Sequence, residues 1–466
     1  MSASAAAMHG DGRVLLLSCY ELGHAPAGIT WPAAFLRREG FSPQVIDLAT
    51  CELDEAAVRE AQLVAISVPM HTALRLAVPV ARRVRELNAT AHICFHGLYA
   101  QLNREWLLAN VADSCLGGES EQALVALCET LARGESVPIP AAPLLVRPDY
   151  PIPDASGLAG GYAELLNNGH SAPTGFAEAT RGCKYTCRHC PVTPVYNGRF
   201  FVVPVENVLQ QVRKQVAGGA QHITFGDPDF LNGPRHALRV AEALHAEFPQ
   251  LTFDVTAKVE HLLDHGDLLP QLAECGCLFI VTAVESLSDR VLEILDKGHT
   301  RSDVERALAA TRAAGIAMRP SLVAFTPWTT LDDYLELFEF AATNALVGVI
   351  EPVQFTIRLL LPPGSALLDH PEMTPHLRGL REEDFGHRWE HPDPRMDALH
   401  REAVAVAEEG GDDATLFHAL WSVARFAAGQ PPPPMVVATP GPRLSESWYC
   451  CAEPSPGLLK LGEPSA

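Results

Sequence analysis

Residues 13–19 (RVLLLSC) are a short apolar run, the pattern of a buried parallel strand. Similar runs at 44–47, 63–68 and 92–96 predict three more strands. Helical stretches fall between and after them, around 32–39, 74–87 and 121–133. Strands alternating with helices at this spacing predict a doubly wound α/β domain over 12–134, after a short N-terminus, 1–11. Periodicity fails where prolines recur between 135 and 153, and the stretch 135–172 reads as a linker. A second alternating series follows, with candidate strands at 175–180, 222–225, 252–256, 278–284, 318–325 and 353–360. Long helical patterns such as 205–217 and 236–246 separate them. Six βα units over 173–365 predict a partial TIM-type barrel whose site sits at the strand C-termini. Short helices over 366–429 form an extension, and 430–442 (QPPPPMVVATPGP) opens a proline-stiffened arm and tail, 430–466.

Composition narrows the function classes. The chain has 466 residues, room for two or three domains, and a formal net charge of -21 from 56 acidic and 35 basic residues. Such a field repels phosphate backbones, so bulk nucleic-acid binding is not expected. The first residues carry no signal-peptide pattern and no apolar run is long enough to span a membrane, so a cytoplasmic protein is expected. The twelve cysteines are too sparse for a disulfide scaffold, but they cluster, and in a reducing compartment clusters read as metal or redox sites.

Cys183, Cys187 and Cys190 stand in TRGCKYTCRHCPV, a C-x3-C-x2-C spacing directly after a predicted strand. Three thiolates bind three corners of an iron–sulfur cubane and leave the fourth iron open to a substrate. A structural zinc site takes four ligands, commonly from C-x2-C pairs, and no fourth ligand lies nearby in sequence. Cys275 and Cys277 fall at the start of a barrel strand, away from the expected site, and read as core.

Arg181-Gly182-Cys183 and the cysteines after it resemble the signature of the radical S-adenosylmethionine (SAM) superfamily, in the subgroup often joined to cobalamin-binding domains. The resemblance implies a [4Fe–4S] cluster on Cys183, Cys187 and Cys190, with SAM chelating the open iron and cleaved after one-electron reduction. Such a cluster needs a low-potential donor, for which a flavodoxin or ferredoxin is expected. It implies SAM contacts from the cluster loop, at Tyr185 and at His189, where relatives often carry an aromatic residue. Gly226-Asp227-Pro228-Asp229 falls where the family binds the SAM ammonium, with Asp227 and Asp229 both candidates; a plain Asp-Pro turn is the bland alternative. Glu285-Ser286 resembles the pair that binds the ribose hydroxyls, although Ser286 also suits a helix N-cap. Lys258 matches a basic position near the SAM carboxylate, or is a solvated lysine. The segment 361–368 (LPPGSALL) resembles the one that closes these barrels and reads as structural.

Residues 12–134 resemble the Rossmann-like cobalamin-binding module, through Ser67-Val68-Pro69 and Gly117-Gly118-Glu119-Ser120-Glu121. The Asp-x-His-x-x-Gly loop of that module is missing; Glu21-Leu22-Gly23-His24 falls in a similar place with other spacing. Cobalamin therefore stays open, beside a domain that merely caps the barrel.

The tail WYCCAEP resembles the group of CUAEP/CCAEP-tail radical SAM (seleno)proteins, with Cys451 at the selenocysteine position. Adjacent cysteines form strained, reducible disulfides, and as thiolates they chelate soft centres. Related enzymes with paired C-terminal cysteines are associated with arsenic natural products. Together these features point to a radical SAM transferase that moves a SAM-derived carbon group or radical onto a small, thiophilic, even arsenical substrate held by catalytic Cys450 and Cys451. A cobalamin-dependent radical SAM methyltransferase and a non-catalytic metalloid-binding protein are the alternatives.

Overall fold

The computed structural model describes residues 8–446 except 138–140, 154, 156 and 159. Its first sheet joins β1 (Val14–Ser18), β2 (Gln44–Asp47), β3 (Leu63–Ser67), β4 (His92–His96) and β5 (Ser114–Leu116). All pairings are parallel, in the order β2-β1-β3-β4-β5. Both faces are covered, as the unalternating apolar runs require. Leu15 and Leu17 enter one core, whereas Val14 and Leu16 enter the other. The order reverses between β1 and β3, which opens a crevice at their carboxyl ends, the usual ligand position of such sheets.

The second sheet is built on β6 (Glu164–Asn167), β7 (His170–Ala177), β10 (His222–Phe225), β11 (Thr252–Ala257), β12 (Cys277–Glu285) and β13 (Ala317–Leu322). Between them β8 (Thr180–Gly182) and β9 (Phe200–Val202) form a separate antiparallel ribbon. Five strands, β7, β10, β11, β12 and β13, run parallel as a half-barrel. At the sixth position, 353–360, the chain forms a 3-10 turn, Pro352–Thr356, then one parallel bridge from Arg358 to Phe325. Pro352, with no N–H to give a ladder, opens that turn.

The hairpin β6–β7 lies largely within the stretch 135–172 read as linker. Its turn is Asn168-Gly169, both at positive φ (50° and 78°), the residue pair that a tight hairpin turn favours. Cys275 and Cys277 are buried in the barrel core.

The extension carries a hairpin, β14 (Leu377–Arg381) with β15 (Gly386–Trp389), and two helices, Pro394–Glu408 and Asp413–Ala427. Phe417 and Trp421 pack on Phe338 and Phe355 of the barrel. The extension also reaches the first domain, where Phe385 stands edge-on to Trp106 at 4.8 Å. The arm ends on the second sheet as β16 (Arg443–Leu444), antiparallel to β6. Among the described residues no helix is long and apolar enough to cross a membrane.

Candidate active site at the mouth of the half-barrel

The three cysteines lie on the loop that joins β8 to β9, beyond the carboxyl end of β7. Gly182, just before the first, has φ 76°; a Cβ there would stand 2.5 Å from the Tyr196 ring and 2.6 Å from the Arg199 carbonyl. Only glycine lets the loop turn this tightly. Asn232 staples the start of the loop. Its Nδ2 donates to the Gly182 carbonyl at 3.2 Å, and its Oδ1 accepts from the Lys184 N–H at 3.1 Å. The Cys183 thiol lies 3.7 Å from the same Oδ1. Further along, the Arg188 N–H donates to the Leu295 carbonyl and the Ser365 hydroxyl to the Arg188 carbonyl. The Pro-Gly-Ser segment thus braces the loop.

Before the cysteines, Arg181 joins the two domains. Its buried guanidinium meets Glu119 at 3.1 Å, Glu121 at 2.5 Å and Glu178 at 3.1 Å. It also lies over the Trp31 and Tyr150 rings, 4.7 and 5.6 Å from their centroids. The Tyr196 hydroxyl donates to Glu119 at 2.9 Å. The segment Gly117–Glu121 therefore grips the cluster loop. Gly118 also takes the linker against its backbone: the Glu119 N–H donates to the Leu144 carbonyl, and a Cβ on Gly118 would stand 2.2 Å from that oxygen.

Each residue singled out from the sequence has a definite place. Asp227 is buried and accepts from the Ala179 N–H (3.0 Å) and the Thr180 hydroxyl (2.5 Å), bracing β8; burial pushes its carboxyl up to about 7. Asp229 accepts from the N–H groups of Leu231 and Lys258 and lies 2.8 Å from His261 Nδ1. Both carboxylates thus have protein partners. A Cβ on Gly226 would stand 2.0 Å from Phe176 Cζ, so that ring packs directly on the glycine. The Lys258 ammonium sits 3.5 Å above the Tyr185 ring and 3.1 Å from Glu260.

Glu285 ends β12 at φ 65°, where the ladder to β13 shifts register. Its carboxylate lies 3.1 Å from Lys297 Nζ and 3.4 Å from His189 Nε2. Burial opposes its charge, but the Lys297 ammonium and His189 outweigh that and hold the carboxyl down at about 2. The Ser286 hydroxyl accepts from the Ser288 N–H at 3.1 Å, and Ser288 takes the N-cap position of the next helix. Sequence reasoning missed Lys297, Asn232 and the role of Arg181. No local spacing marks Lys297 in the sequence; in the structure its neighbour Gly298 has φ 73° and packs on Glu260. Cys450 and Cys451 lie outside the described residues.

Three free thiols are the donor type that an iron–sulfur cubane takes. Cys187 is buried while Cys183 and Cys190 are partly exposed, and among the described cysteines none is disulfide-bonded. Burial pushes the Cys183 thiol up to about 11, a proton that metal binding displaces. Among the described residues no three His, Cys, Asp or Glu side chains converge as ligands of a single ion do. A cubane needs no such convergence, because each thiolate meets its own iron.

Across the seam lies the switch-point crevice. Tyr20, Met70 and Ala73, with Leu22 and Leu76, make an apolar rim at the ends of β1 and β3. Glu21 is buried there, accepting from the Gly28 N–H at 3.1 Å and the Ser67 hydroxyl at 3.4 Å. Burial, with the negative charge of Asp47 nearby, pushes its carboxyl up to about 8. The His24 ring stacks on Phe176 of β7, centroids 3.6 Å apart, and its removal from water pushes it down to about 4. An apolar rim with one neutral imidazole is donor chemistry that suits a cobalt corrin.

Family comparisons agree with this division. The B12 binding domain model matches residues 13–128, and the radical SAM superfamily model matches residues 178–341. The chain carries a radical SAM domain behind a B12-binding domain. Radical SAM domains imply a [4Fe–4S] cluster and SAM, and the family and its structural neighbours are enzymes. The chain is 27% identical over 191 residues to the ribosomal protein uS12 methylthiotransferase of Geobacter sulfurreducens, covering 38% of this chain and 42% of that protein. It is 22% identical over 303 residues to an uncharacterized methyltransferase of Pyrococcus horikoshii, covering 60% and 63%. The chain thus spans less than two thirds of these relatives' lengths. Among solved structures, the cobalamin-dependent SAM radical enzyme OxsB aligns with TM-score 0.64 at 14% identity, covering 85% of this chain and 66% of that one. The radical SAM methyltransferase TsrM of Kitasatospora setae aligns with TM-score 0.56 at 17% identity, covering 71% and 70%. At such identities the likeness establishes the shared fold.

Proposed function

We propose that this chain is a cobalamin-dependent radical SAM methyltransferase acting on a small molecule. Cys183, Cys187 and Cys190 hold the cluster, and SAM binds its open iron. Tyr185, His189, Lys258, Ser286 and the backbone near Gly226 line the SAM side, and a flavodoxin or ferredoxin supplies electrons. Cobalamin, when bound in the N-terminal crevice, supplies a methyl carrier. His24 and Glu21 would face it, burial favouring the neutral form of each. The observation that carries the reading is the contact of His24 with Phe176, itself packed on Gly226. Through it the crevice of the first sheet and the mouth of the half-barrel open on one seam.

A second reading keeps the radical SAM chemistry but moves another SAM-derived carbon group onto a thiophilic, arsenical substrate held by Cys450 and Cys451. The course of the C-terminal arm favours it, because Glu446 accepts from the Tyr20 hydroxyl at 2.6 Å, in the same seam.

Anaerobic reconstitution followed by SAM and dithionite tests both. Corrin absorbance with S-adenosylhomocysteine as product is expected from the first reading, and methylthioadenosine without corrin from the second. A cluster whose EPR spectrum ignores SAM would overturn both. Cys183→Ala, Cys187→Ala and Cys190→Ala should each abolish SAM cleavage.

A further inference from the structure

The chain carries a formal net charge of -21, yet the ground around the cluster loop is basic. From Ala179 to Val205 there is no acidic residue, and Lys184 and Arg199 stand exposed on this stretch. A second acid-free stretch, Phe230 to Ala241, carries Arg235 and Arg239, also exposed. Folding brings the two stretches together. Asn232 holds the Gly182 carbonyl and the Lys184 N–H. A Cβ on Gly233 would stand 3.7 Å from the Phe200 ring, and one on Gly198 would stand 3.4 Å from the Lys184 carbonyl. Lys184, Arg199 and the start of the helix Pro234–Glu247 therefore adjoin one another beside Cys183. Arg147, exposed in the stretch before β6, comes to the same helix. Burial holds the His236 imidazole below its ordinary range, and the charges of Arg239 and Arg147 add to that effect.

The fold supplies no partner for these charges. Among the described residues none of the five forms an ion pair. Exposed arginines elsewhere do, as Arg59 and Arg83 pair with Glu55 and Arg395 with Asp393. Arg235 sits in the first helical turn, where the helix dipole favours acids, and Arg239 repeats its charge one turn later. Both placements work against the helix, so the use of these charges lies outside it.

We propose that Lys184, Arg199, Arg235, Arg239 and Arg147 form the docking surface for an acidic one-electron carrier protein that feeds the cluster. The inference rests on the radical SAM reading and names where the carrier of that reading binds. In the step itself the carrier gives one electron to the oxidised cluster and leaves oxidised by one electron; no bond forms or breaks. A protein seated on this rim stands beside the cysteines, of which Cys183 and Cys190 are partly exposed. Electron transfer falls steeply with distance, so that position matters. The net acidic surface elsewhere repels such a carrier and focuses it on the rim. Redox encounters of this kind are small and weak, and a few exposed cations suffice to orient them. A nucleic acid would have to run on past the rim over acidic ground, which a compact carrier avoids.

The test uses anaerobically reconstituted full-length protein, with a reduced acidic flavodoxin as the probe. Stopped-flow absorbance follows reduction of the cluster. Carbodiimide coupling, which joins lysine amines to carboxylates in contact, is mapped by peptide mass spectrometry. Reduction by flavodoxin should slow at least about tenfold for Arg235→Glu with Arg239→Glu, and in the unaltered protein it should slow as salt is raised. Reduction of the same variant by dithionite, and its EPR response to SAM, should match the unaltered protein. In the unaltered protein Lys184 should couple to a flavodoxin carboxylate, a readout independent of turnover and of any substitution. Flavodoxin reduction indifferent to the charge reversal, or coupling confined to other lysines, would overturn the inference. So would an RNA oligonucleotide that binds the rim and leaves flavodoxin reduction untouched, since the occupant would then be a nucleic acid. A cluster that dithionite reduces but whose EPR spectrum ignores SAM would instead overturn the radical SAM reading, which coupling at Lys184 does not measure.

Discussion

Glu285 is a non-glycine residue at φ 65°, a conformation that costs roughly 1–3 kcal/mol and persists where its surroundings hold it. Here Lys297 and His189 hold it from two sides. Lys297→Met removes the counter-charge from a buried carboxylate and should cost about 3–5 kcal/mol, read by chemical denaturation. Glu21 makes a different prediction. Its folded carboxyl, at about 8, lies above the ordinary value of 4.5, so the native state keeps a proton that the unfolded chain releases. The stability it lends is complete below pH 4.5 and fades as pH rises through 8. The melting temperature of the native protein minus that of Glu21→Gln should therefore fall steadily between pH 5 and pH 8. A flat difference would show that Glu21 is solvated.

At the scale of elements, the cluster loop is held by what surrounds it more than by its own turns. Arg181 carries three carboxylates from two domains, and Asn232 and Ser365 close the loop from the barrel side. Arg181→Met leaves those acids facing one another, and an unfolding penalty of about 3–5 kcal/mol is expected. Tyr196→Phe, which removes one hydrogen bond to Glu119, should cost about 1–2 kcal/mol. If both cost the same, the clamp is a surface contact and not a joint. The loop cysteines were legible because their spacing is local. Their supports were not, since Asn232 and Lys297 lie far along the chain and carry no spacing signal of their own.

For the whole molecule, the seam between the sheets is where the two candidate sites meet, and the arm is its fastening. Ending the chain after Pro442 removes β16 and bares the edge of β6. Amide hydrogen exchange in 164–167 should then quicken, while β11 and β12, deep in the sheet, keep their protection. Unchanged exchange at β6 would mean that the strap is not formed in solution. The hairpin that carries this edge was within reach of the sequence through Asn168-Gly169, but the prolines nearby drew the stretch into a linker.

By itself the sequence determined the two alternating α/β series, the first domain's buried parallel sheet and the cysteine loop at a strand end. Each depends on residues close together in the chain, where apolar runs, glycines and ligand spacings act directly. Tertiary structure alone decided that a turn and one bridge stand at the sixth barrel position, that Asp227 and Asp229 brace backbone, and that Glu285 pairs with Lys297. It also decided that the arm returns to the seam. The physical reason is desolvation: which buried charge finds which partner depends on what folding brings beside it, and the order of residues along the chain does not specify that.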